Sequence, residues 1–159
     1  MTGSTMPSRP GEPMVVELSA EHEDLLGRIA RSYAAAAPSD WLRIVVRQEC
    51  SMEPQLRGRV AVREVVRAAP EGLVQEPYRP PRDLHFPTGT MLDTLAAASP
   101  TKTVVMHLVV DRDGSWSGRV EQDVPRVLAG VRDETSSTPV HQHLERHRQE
   151  LEEMAARLR

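Results

Sequence analysis

The stretch TKTVVMHLVVDRDGSWSGRVEQD, residues 101–123, decides the reading of the fold. Two extended runs, 101–110 and 115–123, flank Asp111-Arg112-Asp113-Gly114, and an Asp-Gly pair between such runs marks a β-hairpin because glycine takes positive φ without steric cost. Val104, Met106, Leu108 and Val110 alternate on one side of the first run, and Trp116, Gly118 and Val120 do so on the return. Period-two alternation predicts one face packed on a core and one turned away from it.

Working outward, WLRIVVRQE (41–49) is rich in β-branched residues and predicts a strand with Leu42, Ile44 and Val46 on one side. A second run, 59–67, carries Val60, Val62 and Val66 with Glu64 among them, and the short gap at 52–58 predicts an antiparallel hairpin with the first. Residues 69–87 are punctuated by proline, and only 72–75 could add a short strand. Ser19 is a candidate N-cap for a helix that stops before Pro38, with Leu25, Leu26, Ile29, Ala30 and Tyr33 at helical spacing. A short helix is expected over 91–98, a turn or two of helix within 124–131, and a long amphipathic helix over about 139–158 with Pro139 at its start. The fold class expected is α+β: an antiparallel sheet of four to five strands with N-terminal, short middle and long C-terminal helices.

The length of 159 residues suits one domain, expected over 14–159. Residues 1–13, MTGSTMPSRPGEP, predict a disordered tail with too little apolar surface to offset ordering, and they hold no stretch resembling a signal peptide. No apolar run reaches the roughly 18 residues that a membrane span needs, so the expected setting is the cytoplasm. The net charge of −3 argues against direct nucleic-acid binding, which calls for clustered positive charge. One cysteine, Cys50, allows no internal disulfide.

No Walker loop, GxGxxG, GxSxG or CxxC pattern is present, so no cofactor, metal or catalytic residue is assigned. Asp111 and Asp113 resemble the opening of a calcium loop, but glycine follows at once and no closing glutamate comes after. His141, His143 and His147 cluster near the last helix; His143 and His147 share a face, and the reading preferred over a metal pair is a solvated helix end. The candidate partner-binding residues are Asp111, Asp113, Glu121 and Asp123, carboxylates on one rigid hairpin that could meet a basic partner, with Trp116 as an aromatic anchor.

The order helix, Asp40-Trp41 entry into WLRIVVRQE, hairpin, short helix and TVVMHLVVDRDGSWSGRVEQD followed by Pro125-Arg126 resembles the YezG-like immunity-protein family over about residues 20–130. In that family the return strand tends to be acidic and aromatic, and Val120-Glu121-Gln122-Asp123 keeps only the acids. The resemblance implies an antitoxin that neutralises a secreted polymorphic toxin, commonly a nuclease, by binding it stoichiometrically. A secretion-chaperone type of α+β domain shares the element order and is the alternative protein-binding reading. A small enzyme assembled from His85, His107 or the C-terminal histidines with distant acids ranks last.

Overall fold

The computed structural model describes residues 13–158. The tail expected over 1–13 therefore lies, apart from Pro13, outside the described residues. The α+β class stands, with six antiparallel strands rather than four to five, in the order β1-β6-β5-β2-β3-β4. The strands are β1 (Met14–Val15), β2 (Trp41–Ser51), β3 (Gly58–Ala69), β4 (Gly72–Pro77), β5 (Thr103–Asp111) and β6 (Trp116–Gln122). The count rises because Met14 and Val15 pair with Gln122 and Glu121 at one edge, and because the short run expected at 72–75 extends to Pro77 against β3.

The 101–123 hairpin forms as its alternation requires, with Gly114 at φ +93° and its N–H donating to Asp111 O at 3.0 Å. Its inward stripe, Val104, Met106, Leu108, Val110 and Val120, joins Ile44, Val46 and Val65 under two helices, α1 (Ala20–Ala35) and α2 (His85–Ala98). Ser19 caps α1 by accepting the His22 N–H at 3.1 Å, and Leu26, Ile29, Ala30 and Tyr33 fill the layer beneath it. Burying each large apolar side chain here contributes about 1.5–3 kcal/mol before the entropy of ordering is set against it.

Four expectations are corrected. Leu42 does not share a side with Ile44 and Val46: a register irregularity between Trp41 and Arg43 turns it to the opposite face, where it packs with Val66, Leu151 and Ala155. The middle helix begins at His85 rather than near Met91, since Pro87 falls in the first turn, where its missing N–H would have had no partner. The single helix expected over 139–158 is three pieces, α3 (Thr138–His141), α4 (His143–Arg146) and α5 (Arg148–Leu158). Gln142 at φ −98°, ψ 13° and His147 at φ −122°, ψ 26° depart from helical geometry at the two joints. The turn or two of helix expected within 124–131 is instead a run of turns. Among the described residues no helix is long and apolar enough to cross a membrane.

The second face of the sheet, covered by the C-terminal segment, is built differently. It carries Arg43, Arg47, Glu49 and Glu64, all buried. Its apolar part is the small cluster around Leu42, Val66, Leu151 and Ala155, with the buried valines Val45, Val105, Val127 and Val140 set among the charges. Polar groups so enclosed must find partners, and those partners determine where the C-terminal segment lies.

Candidate functional site

The structure does not assemble the expected acidic surface. Asp111 accepts from Arg43 Nε at 2.6 Å and Nη2 at 3.0 Å. Glu121 lies 2.9 Å from His107 Nε2 and 3.2 Å from Arg119 Nε, and the hydrogen bond from His107 leads the effects that hold its carboxyl down at about 2. Asp123 pairs with Arg126 at 2.7 Å. Asp113 sits at the turn tip and accepts the Ser115 N–H at 2.9 Å and hydroxyl at 2.6 Å, which lowers its pKa. Trp116 lies on the other side of the sheet from Asp111 and Glu121, in register with core residue Val110 and against Gly27 of α1, and is 37% exposed. Three of the four carboxylates are thus neutralised within the chain, and none of these shares a surface with the indole.

The histidines are also placed differently. His143 is buried and stacks on His147 with ring centroids 4.2 Å apart, so the expectation of a solvated helix end fails for it. Its Nε2 lies 3.3 Å from Arg43 Nη1, a contact that suits a neutral ring accepting from the guanidinium. Desolvation, followed by the charges of His147 and Arg43, pushes its pKa down to about 4. His141 is more than half exposed and 3.8 Å from Glu64. No group of three or more His, Cys, Asp or Glu is placed to hold a metal ion among the described residues.

A cleft of about 520 Å³ opens between β3 and the first turns of α2, on the α1/α2 side of the sheet. Arg59 and Arg63 stand along β3 on one wall, and Phe86, Thr90 and Asp93 line the helix wall. Phe86, the chain's one phenylalanine, is 81% exposed. Gly89 lets the Arg59 guanidinium lie against the helix, since a Cβ there would come within 1.5 Å of Arg59 Nη1. At the floor, Gln48 is 7% exposed and its buried Oε1 has no hydrogen-bond partner among the described residues. An amide oxygen in that state carries an unreturned desolvation cost of about 1–3 kcal/mol, which a donor brought into the cleft would relieve.

Cys50, fully buried, donates its thiol to Asp93 Oδ1 at 3.2 Å, and burial followed by that hydrogen bond pushes its pKa up to about 12. A thiol so held stays protonated at neutral pH. The cleft presents two guanidiniums, the imidazole of His85, the carboxylate of Asp93, an exposed ring and an unanswered acceptor.

Sequence reasoning missed this site, although one signal was present. Gln48 continues the inward stripe of Ile44, Val46 and Cys50, and a polar residue there marks either a hydrogen-bonded core group or the floor of a site. Phe86 was hidden in a segment read as irregular. Comparison of the chain with protein-family models, with curated proteins and with solved structures finds no match.

Proposed function

We propose that the protein is a stoichiometric protein-binding module acting in the cytoplasm, and specifically an immunity protein that covers the working surface of a secreted toxin. The observation that carries the reading is Phe86, left 81% exposed at the lip of a cleft with an unpartnered buried acceptor. An aromatic ring in water forgoes about 1.5–3 kcal/mol of burial, and aromatic residues and arginine are enriched at protein interfaces.

The test is a photo-crosslinking phenylalanine analogue at position 86 of the full chain, irradiated in native lysate, with adducts identified by mass spectrometry. A one-to-one adduct with a secreted toxin is the expected result, and protection of cells expressing that toxin completes it. An adduct with a secretion-system client selects the chaperone reading instead. Recovery of no protein adduct, together with turnover of a small molecule by the purified protein, rejects the proposal.

A further inference from the structure

The cleft is also a gap in the sheet. β4 pairs with β3 only from Glu64 to Ala69, whereas β2 pairs with β3 down to Gly58. The chain makes a last bond to β3 from the Tyr78 N–H to Arg63 O at 3.0 Å and then leaves through Arg79-Pro80-Pro81. Beyond that point, among the described residues, no strand lies beside residues 58–62 on the side that β4 occupies further along. Amide directions alternate along a strand, and Arg63 O points to the β4 side, so the N–H and C=O groups of Ala61 and Arg59 also point into the gap.

The side chains beside the gap select what fills it. Arg59, Ala61 and Arg63 line the cleft together, with small Ala61 leaving the floor open beside its register partner Gln48. The two guanidiniums are anchored about 13 Å apart along the strand, the span of four residues in an extended partner. Arg63 gives Nε to the Tyr33 hydroxyl at 2.9 Å. Among the described residues, Arg59 has only a long 3.8 Å charge contact, with Asp93.

Building on the protein-binding reading, we infer that the open edge of β3 at residues 58–62 receives an extended acidic segment of the partner protein as an added strand. Its carboxylates meet Arg59 and Arg63, a donor from it satisfies Gln48 Oε1, and Phe86 covers its apolar side chains. Backbone bonds to a free edge supply affinity in this mode, while alternate side chains supply specificity. A second copy of the chain is a poor occupant. A two-fold antiparallel pairing centred on Ala61 would set Arg59 of each copy opposite Arg63 of the other, and like charges directly opposite destabilise a sheet.

The test uses the full chain and three blocked, fluorescein-labelled peptides of alternating valine and threonine that carry two glutamates, two glutamines or two lysines four positions apart. Fluorescence anisotropy reads affinity, and amide exchange by NMR reads position. The glutamate peptide is expected to bind roughly tenfold or more tightly than the lysine peptide, the scale of reversing a charge pair, and to protect the amides of Arg59 and Ala61. Ala61→Pro removes one N–H that points into the gap while leaving the β2 ladder intact, and Arg59→Glu leaves the backbone whole; both are expected to abolish the preference, with thermal melts confirming the fold. Equal binding of the three peptides, protection elsewhere, or binding retained in both variants overturns the inference. So does a concentration-dependent dimer that protects the same amides. The peptide result decides the edge, and the crosslink at position 86 decides protein binding: a captured partner that binds Ala61→Pro and Arg59→Glu at full strength removes the edge and leaves the function standing.

Discussion

The carboxylate of Glu49, fully buried in the central strand, accepts the backbone N–H of Val127 at 2.9 Å. It also takes the Leu128 N–H at 2.9 Å and the Arg47 guanidinium at 2.7 Å. One side chain therefore stands in for the secondary structure that 124–131 lacks. Glu49→Ala leaves Arg47 buried without its partner and both amides unpaired, and is expected to cost about 3–5 kcal/mol. A chemical-denaturation midpoint within error of the parent would show that the anchor contributes nothing.

Acid should loosen the C-terminal segment through His143. The unfolded imidazole titrates near 6.5 and the folded one near 4, so between those values the unfolded chain holds more protons. Stability is then greatest above pH 6.5 and falls as pH drops toward 4, by roughly 1.4 kcal/mol per unit at most. Arg43, His147 and Glu150 face the ring, and His143→Gln keeps an acceptor for Arg43 without the titration. Urea unfolding of the two proteins across this range should give a sloped line for the parent and a flatter one for the variant.

Neutralising Asp111, Glu121 and Asp123 is expected to act on the fold before it acts on any partner. Asp111→Asn unbalances Arg43, which keeps Glu150 as a second partner, for a cost of about 1–3 kcal/mol. Glu121 contributes stability above its unfolded value of 4.5 that is lost as pH falls toward 2, so Glu121→Gln should lower the melting temperature at pH 7 and narrow the gap to the parent near pH 2. Variants that melt like the parent would return these carboxylates to candidacy as a recognition surface.

Phe86→Ser should leave melting unchanged within about 0.5 kcal/mol, since the ring is mostly in water, yet lose the partner. Trp116→Ala should do the reverse, since the indole packs on Gly27 and Gly118 of its own chain. Equal losses of binding from both, measured by titration calorimetry, would place the interface across α1 as well.

The strands were legible because alternation states both where they run and which way they face, as at Val104, Met106, Leu108 and Val110. Leu42 was not, because one local irregularity reverses a face without altering composition. The broken C-terminal helix escaped notice for a related reason: the stripe of Val140, Leu144, Leu151 and Met154 survives the departures at Gln142 and His147. The acids of the hairpin were visible, and Arg119 and Arg126 lie close in sequence to Glu121 and Asp123, but the cation of Asp111 is remote, Arg43 lying 68 residues away. The open edge depends on where β4 stops relative to β3, a matter of register that no single segment contains.

The charged second face gives the joint between sheet and C-terminal segment an unusual thermal character. Separating them uncovers guanidinium, carboxylate, imidazole and amide alongside the hydrocarbon of Leu42, Val66 and Leu151 and of the buried valines Val45, Val105, Val127 and Val140. Newly hydrated polar area lowers heat capacity by about 0.26 cal/mol/K per Å² while apolar area raises it by about 0.45, so a partial opening confined to this joint would leave a smaller step in a calorimetric baseline than an opening of equal area on the helix-covered face. The same balance sets its response to cold. Chilling weakens the helix-covered face, whose grip is hydrophobic, and leaves this joint comparatively firm.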